Sequence, residues 1–183
     1  MNKKIIYWSL RFAIVLTTFA IAGTAVGQST SKEKKLVRDC TEAKTDFINT
    51  DGLMKNLFSN AYGYVIFPNV GKGGIGIGGA AGNGIVYESG NIIGKAKLTQ
   101  VSIGFQFGGQ SYREVIFFES KSDLDRFKEN KIEFSAQASA VAVTAGVSAN
   151  VKYKDGVMIF TQQKGGLMYE ASVGGQKFNF TAF

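Results

Sequence analysis

The chain has 183 residues, with 21 lysines and arginines against 14 aspartates and glutamates, so its formal net charge at pH 7 is +7. It contains no histidine, which excludes histidine-based acid–base catalysis, the Ser–His–Asp and Cys–His arrangements and most zinc sites. Cys40 is the single cysteine, so no internal disulfide can form. Its helical register with apolar neighbours predicts a buried thiol rather than a reactive one.

The first 27 residues have the layout of a secretory signal peptide. Lys3 and Lys4 precede an apolar run, and small residues end it, with Gly27 directly before the expected cleavage site. The alternative is an uncleaved anchor, but the run is shorter than the roughly 20 residues that a spanning helix needs. We predict a signal peptide over residues 1–27 and one domain over residues 28–183. Removing the three basic residues of the signal leaves 18 basic against 14 acidic residues, a net charge of +4.

Residues 31–61 have helical periodicity. Apolar side chains recur at spacings of three and four, while basic side chains fall on other faces. The apolar positions of this first helix are Leu36, Cys40, Ala43 and Phe47. The stretch "NTDG" interrupts the pattern, and Asp51 is predicted to cap a second short helix. Its apolar positions are Leu53, Met54, Leu57 and Phe58.

Residues 62–183 form a β-rich region in which apolar runs alternate with glycine. Pro68 is expected to end the first strand, because proline cannot donate a hydrogen bond to a sheet ladder. One helix is predicted within this region, opened by Ser122 or Asp123 and directing Leu124 and Phe127 towards the core. The fold class is therefore predicted as α+β. Its centre is a strongly curved antiparallel or barrel-like sheet of about eight short, glycine-rich strands, with two N-terminal helices and one inserted helix.

The stretch "GKGGIG" contains the GxGxxG spacing of nucleotide-binding loops, at Gly71, Gly73 and Gly76. In such a loop the third glycine opens a helix whose N-terminus meets the phosphate. Here small and β-branched residues alternate after Gly76, and the "NG" pair at Asn83 and Gly84 indicates a hairpin turn. The pattern therefore argues against nucleotide binding.

The eight glycines between Gly71 and Gly84 need a different explanation. The absence of Cβ atoms permits either a close crossing of two backbones or a sheet face free of side chains, along which an acyl chain could lie. Both explanations stay open at the level of sequence. The stretch "FSAQASAVAVTAGVSAN" raises a similar choice, because alanines at every second position from Ala136 to Ala142 indicate close packing under a helix or the lining of a narrow channel.

Candidate catalytic carboxylates do not form a pattern. They lie in separate strand-like runs, at Glu88, Glu114, Glu119 and Glu170. The single tryptophan belongs to the predicted signal peptide, so the mature chain offers no tryptophan platform for a sugar. We predict no enzymatic activity, no cofactor and no metal site.

Three stretches occur in the order expected of the SYLF domain: "NAYGYVIFPNVGKGGIGIGGAAGNGIVY", "GFQFGGQSYREVIFF" and "DGVMIFTQQKGGLMYEASVGGQKF". From Gly52 to Phe180 the chain resembles this lipid-binding domain of exported bacterial proteins and eukaryotic membrane-trafficking adaptors. The resemblance implies binding to phospholipid membranes without enzymatic activity. In eukaryotic members an amphipathic segment at the start of the domain is associated with membrane contact, and residues 31–61 occupy that position here. The actin-related role of some members depends on partners and added domains, so only lipid binding is expected of this chain.

The candidate lipid-binding residues are basic side chains beside apolar or glycine-rich sequence: Lys34, Lys35, Arg38, Lys72, Arg113 and Lys164. The guanidinium of Arg113 suits bidentate phosphate binding, although an ion pair with Glu88 or Glu170 is an alternative role. The three helical residues have the alternative of a solvated helix surface. Each basic residue near an anionic membrane contributes on the order of 1 kcal/mol, so several must act together.

The sequence thus predicts a non-enzymatic phospholipid-binding protein of the cell envelope, which is periplasmic, peripheral to the inner or outer membrane, or secreted. The predicted partner is an anionic phospholipid or membrane surface rather than nucleic acid or nucleotide, because a charge of +4 suits an anionic surface without requiring nucleic acid. Two alternatives stay open, namely a small integral outer-membrane β-barrel and a soluble periplasmic carrier that encloses a lipid.

Overall fold

The computed structural model describes residues 30–75, 77–103, 110–132, 139–164 and 170–183. The predicted signal peptide and residues 133–138 of the alanine-rich stretch lie outside them. The elements in chain order are α1 (Ser31–Thr50), α2 (Met54–Asn60), β1 (Gly63–Ile75), β2 (Ile77–Glu88), β3 (Asn91–Ile103), β4 (Gln110–Phe118), α3 (Lys121–Lys128), β5 (Ser139–Ala142), a 3₁₀ turn (Val147–Asn150), β6 (Val157–Gln163), β7 (Glu170–Ser172) and β8 (Gln176–Ala182). The predicted α+β class, with two N-terminal helices and one inserted helix, is confirmed.

The described strands form one sheet in the order β7-β5-β6-β4-β1-β2-β3-β8. Neighbouring strands are antiparallel, as predicted, except for β5 and β6, which pair in parallel. The edge strands β7 and β8 do not pair with each other within the described part of the chain. The sheet is therefore open and is not a closed barrel.

Three central strands are longer than the glycine pattern predicted, with 13 residues in β1, 12 in β2 and 13 in β3. Pro68 does not end β1, because the register between β1 and β2 shifts after Ile66 and the proline sits in the resulting irregularity. A missing N–H is tolerated at such a bulge. The predicted turn at Asn83 and Gly84 is also wrong, since both residues pair with β3 inside β2.

Both faces of the central sheet are covered, which explains why "YVIF" is apolar without alternation. Tyr64 and Ile66 belong to the cluster that includes Phe47 of α1, and we call this side the helix face. Val65 and Phe67 point the other way, into the inner face, because successive strand residues project to opposite sides.

Helix α1 crosses the helix face diagonally, from β3 to β6. Its contacts, in order along the helix, are Glu33 with Lys95 (β3), Cys40 with the Ile66 carbonyl (β1), Lys44 with the Tyr64 hydroxyl (β1), Asp46 with Arg113 (β4) and Thr50 with Gln162 (β6). The apolar positions Cys40, Ala43 and Phe47 are buried as the sequence predicted. In this conformation the apolar stripe of α1 therefore packs on the protein itself.

The sheet curls strongly, as a contact between distant strands shows. The side-chain amide Nε2 of Gln176 on β8 donates to Glu114 Oε2 on β4 at 3.0 Å, although β1, β2 and β3 lie between these strands. In a flat sheet four strand spacings would separate them by roughly 19 Å. The inner face therefore encloses a core, to which α3 contributes Leu124 and Phe127, as predicted.

Both predicted helix N-caps differ from those in the structure. Helix α3 begins two to three residues earlier than expected, because Ser120 is the N-cap and forms a reciprocal capping box with Asp123. Asp51 is buried and accepts hydrogen bonds from the backbone N–H groups of Leu53, at 3.0 Å, and Ser148, at 2.9 Å. The prediction that Asp51 caps α2 is wrong, because the N-cap is Leu53 and has no side-chain cap bond. Asp51 instead joins the turn before α2 to the 3₁₀ turn.

Candidate functional site

The glycine-rich ends of β1, β2 and β3 extend beyond α1 and leave part of the helix face uncovered. A Cβ added at Gly71 or Gly73 would meet no atom within 4 Å. On the neighbouring strands Ala81 and Thr99 are exposed, and Val101 keeps 73% of its surface in solvent. This end of the sheet therefore presents a solvent-facing surface of small side chains, which we call the open face.

Lys72 lies at the same end but projects to the other side of β1, with Val70 on the inner face. Its side chain is half-buried, and burial lowers the pKa of its ammonium group. Among the described residues, eight other lysines and arginines form ion pairs. No carboxylate of the described residues lies within ion-pair distance of Lys72. This cation is thus partly desolvated without compensation from those residues, an arrangement that an external anion would stabilise.

Lys164 is exposed at the same end of the sheet. Its backbone N–H donates to the Ser111 carbonyl at 3.0 Å, and Ser111 in turn pairs with Gly71, the residue before Lys72. The strands β1, β4 and β6 therefore bring two of the predicted binding lysines to one edge. We call the region of Lys72, Lys164 and the open face the Lys72 end.

Arg113 lies elsewhere, under α1. Its Nη2 is 2.6 Å from Asp46 Oδ2, and its Nη1 donates to Gln162 Oε1 at 3.2 Å. The ion-pair alternative is therefore present, with Asp46 as the partner instead of Glu88 or Glu170. A phosphate would have to displace Asp46 to reach this guanidinium.

The Arg113–Asp46 pair is expected to contribute to the docking of α1 on the sheet. In a double-mutant cycle with Arg113→Gln and Asp46→Asn, we expect a coupling energy of about 0.5 to 1 kcal/mol, because both groups are only partly buried. The measurement is urea unfolding followed by circular dichroism. The exposed Lys131–Glu129 pair serves as the control, with an expected coupling near zero. A coupling at Arg113 no larger than that of the control would contradict the docking role.

The basic residues near the start of α1 are interleaved with acidic ones. Lys35 is paired with Asp39, and Arg38 lies 3.5 Å from Asp39 and 3.7 Å from Glu42. Lys34 is exposed, with no ion pair to a described residue. The helix carries five basic and four acidic residues, a net charge of +1. The six predicted lipid-binding residues therefore lie in three separate places. The positive charges at the Lys72 end are the least offset by nearby carboxylates.

Sequence reasoning missed a polar cluster on the inner face, formed by Tyr112, Glu114, Thr161, Gln163 and Gln176. The even-numbered residues of β4 project inward, and Ile116 and Phe118 complete that series with apolar side chains. The signal in the sequence was a glutamate at an inward-facing position of an otherwise apolar strand. Glu114 was instead considered only as one of several scattered carboxylates. We call this set the inner polar cluster.

Glu114 is fully buried, and burial raises the pKa of its carboxyl group to about 7, while the hydrogen bond from Gln176 acts in the opposite direction. Burial also raises the pKa of the Tyr112 hydroxyl. Within the described ranges no three histidine, cysteine, aspartate or glutamate side chains are grouped as metal ligands. None of the helices described here has the length and hydropathy of a membrane span.

Among known families, one matches the C-terminal half of the chain. Residues 99–181 match the Ysc84 family, described as Las17-binding protein actin regulator, which is the SYLF domain family. Over residues 99–181 this match confirms the resemblance to the SYLF domain that the motifs predicted. It is similar to Beta cell expansion factor A of Aeromonas veronii, with 28% identity over 155 residues, which cover 81% of this chain and 58% of that relative. The chain therefore spans somewhat more than half of the relative's length.

Proposed function

We propose that this chain is a non-enzymatic phospholipid-binding protein of the cell envelope, which docks on anionic membrane surfaces through the Lys72 end. The observation that carries the proposal is Lys72 itself, a half-buried ammonium group with no carboxylate partner among the described residues. Burying a cation without a partner is unfavourable, so a lipid phosphate at this position would supply the missing charge.

The surroundings of Lys72 fit a membrane surface better than a small soluble anion. Lys164 adds a second cation at the same edge, and the open face, on the other side of β1 from Lys72, presents small side chains and Val101 to solvent at this end of the sheet. The match of residues 99–181 to the SYLF domain family is consistent with this role. The basic residues Lys34, Lys35 and Arg38 are proposed as secondary contacts, since acidic neighbours offset most of their charge.

Vesicle flotation tests the proposal. The protein, purified after expression of the full chain, is expected to float with vesicles that contain anionic phospholipid and to be released as the salt concentration rises. A Lys72→Gln, Lys164→Gln variant is expected to bind roughly thirtyfold more weakly, because two lysines near the surface each contribute on the order of 1 kcal/mol.

The matched control is Lys55→Gln with Lys152→Gln, which removes the same charge from two exposed positions. Lys55 lies on α2, which precedes the start of β1, and Lys152 precedes β6, whose first residue pairs with the last residue of β4. Both positions therefore belong to the opposite end of the sheet. Equal losses in the two variants would mean that net charge, and not the Lys72 end, determines binding, and an absence of flotation by folded wild-type protein would refute docking altogether.

A further inference from the structure

The inner polar cluster brings together side chains from the neighbouring strands β4 and β6 and from β8, which lies four strand positions away from β4. On β4 and β6, Glu114 pairs directly with Thr161, and Tyr112 pairs with Gln163. Directly opposed residues have Cβ atoms about 5 Å apart, so each pair shares one patch of the inner face. Gln176 of β8 closes over this patch and contacts Glu114 at 3.0 Å. Glu114, Thr161 and Gln176 have no measurable solvent exposure, and Tyr112 has 1%.

Most polar atoms of this cluster lack hydrogen-bond partners. Five buried oxygens form no hydrogen bond of normal geometry within the described part of the chain, although the Gln176 side chain lies near enough to the Tyr112 hydroxyl to lower its pKa: Tyr112 Oη, Glu114 Oε1, Thr161 Oγ1, Gln163 Oε1 and Gln176 Oε1. The nitrogen of the Gln176 amide donates to the Glu114 carboxylate, and its oxygen faces away from that bond. Buried polar atoms without partners are rare and costly, so five in one place mark a site where water or a ligand supplies the missing hydrogen bonds.

The chemistry of the five oxygens specifies what they can bind. All five can accept hydrogen bonds, one belongs to a carboxyl group, and no lysine or arginine of the described residues lies within ion-pair distance of Glu114. An anion would be repelled, and a neutral hydroxyl would leave the carboxylate charge uncompensated. A divalent metal prefers several carboxylates, whereas this cluster offers one. A primary ammonium group has one positive charge and three donors, which match one carboxylate and its neighbouring oxygens.

We propose that the inner polar cluster binds a primary ammonium group, with Glu114 as its counter-ion and Tyr112, Thr161 and Gln176 as hydrogen-bond acceptors. The proposed direction of entry is from the Lys72 end, since on the inner face of β6 exposure rises from buried Thr161 to half-buried Gln163. The ammonium source is either a phospholipid head group that contains ethanolamine or a free amine. The lipid source rests on the proposed function, since the head-group phosphate would then lie towards Lys72.

Isothermal titration calorimetry at pH 8 with three probes tests this inference: glycerophosphoethanolamine, ethanolamine and glycerophosphoglycerol. The wild-type protein is expected to bind the two amines and not glycerophosphoglycerol. Tighter binding of glycerophosphoethanolamine than of ethanolamine would assign the lipid source, and equal binding would assign a free amine. Glycerophosphoglycerol bound as tightly as glycerophosphoethanolamine would overturn the proposal, as would an absence of binding by either amine.

Two variants test the assigned residues. Glu114→Gln keeps the shape but removes the charge, and it is expected to weaken amine binding at least about tenfold. Thr161→Val removes one hydrogen-bond acceptor at similar side-chain volume, and it is expected to weaken amine binding several-fold. This second variant keeps the test valid if Glu114→Gln protein does not fold. Glu119→Gln is the control, because Glu119 is exposed and directly follows β4, and this variant should bind the amines as the wild type does. Unchanged amine affinity in both cluster variants would overturn the assignment.

This outcome is separable from the proposed function. Flotation on anionic vesicles without ethanolamine depends on Lys72 and Lys164, and it is expected to be unchanged in Glu114→Gln. Loss of flotation in the lysine double variant with retained ethanolamine binding would support the ammonium site independently of membrane docking.

Discussion

Between pH 5 and pH 8 the ligand-free protein is expected to lose on the order of 2 to 3 kcal/mol of its free energy of unfolding, and Glu114→Gln protein is expected to lose little. Burial raises the pKa of Glu114 from 4.5 to about 7 in the folded state. The folded state therefore binds a proton more tightly than the unfolded state. The stabilisation is complete below the unfolded pKa, declines as the unfolded chain ionises, and is lost as the pH rises through the folded pKa.

The measurement is urea unfolding followed by far-ultraviolet circular dichroism at pH 5, 6, 7 and 8. This pH range separates the titration of Glu114 from that of Asp39, Asp51 and Asp125. The lowered pKa values of the three aspartates affect stability only at more acidic pH and with the opposite sign. Glu119→Gln is the matched control, because Glu119 is exposed, and it should follow the wild-type profile. Parallel profiles for wild type and Glu114→Gln would show that Glu114 is not the group responsible.

Gly84→Ala is expected to destabilise the protein by about 2 to 3 kcal/mol, whereas Gly73→Ala is expected to change stability by less than about 0.5 kcal/mol. A Cβ at Gly84 would lie 2.5 Å from the Ile66 carbonyl oxygen and 2.7 Å from the Phe67 ring. The carbonyl belongs to the backbone of β1 and cannot move away without breaking the strand pairing. A Cβ at Gly73 would project into open space on the uncovered part of the sheet.

Thermal and urea unfolding of the two variants measures this difference. Gly82→Ala offers a second test at an enclosed position, because its Cβ would lie 2.9 Å from the Asn69 carbonyl oxygen. Equal costs at Gly73 and Gly84 would contradict the distinction between an enclosed and an open glycine. If Gly73→Ala also keeps full vesicle binding, the open face tolerates a methyl group in membrane docking.

The two explanations that the sequence left open for the glycines therefore apply at different positions. At Gly82 and Gly84 an adjacent strand approaches too closely for a side chain, whereas at Gly71 and Gly73 no neighbour forbids one. Both pairs of glycines lie in the same glycine-rich stretch of sequence, between small and β-branched residues. Only the path of β1 through its bulge, and the point at which α1 stops covering the sheet, distinguishes them.

Local features of the fold were predictable from sequence. The buried positions of α1 follow from its helical spacing, and Leu124 and Phe127 were correctly placed in the core by the same rule. The absence of a helix after Gly76 was likewise evident from the alternation that follows it. These inferences succeed because side-chain period reflects the backbone geometry of the segment itself.

The candidate sites depended on contacts that the local pattern does not contain. Gln176 meets Glu114 across 62 positions of sequence, and Arg113 finds Asp46 on a helix instead of a neighbouring strand. The errors at Pro68 and at Asn83–Gly84 have the same origin, since a bulge and a long strand are decided by partner strands. The sequence by itself determined the secondary-structure class, the resemblance to the SYLF domain and the basic residues available for an anionic surface. The tertiary structure alone decided which of those cations lack a counter-charge and which carboxyl group is enclosed, because strand register and sheet curvature set the distances between charges that are remote in the chain.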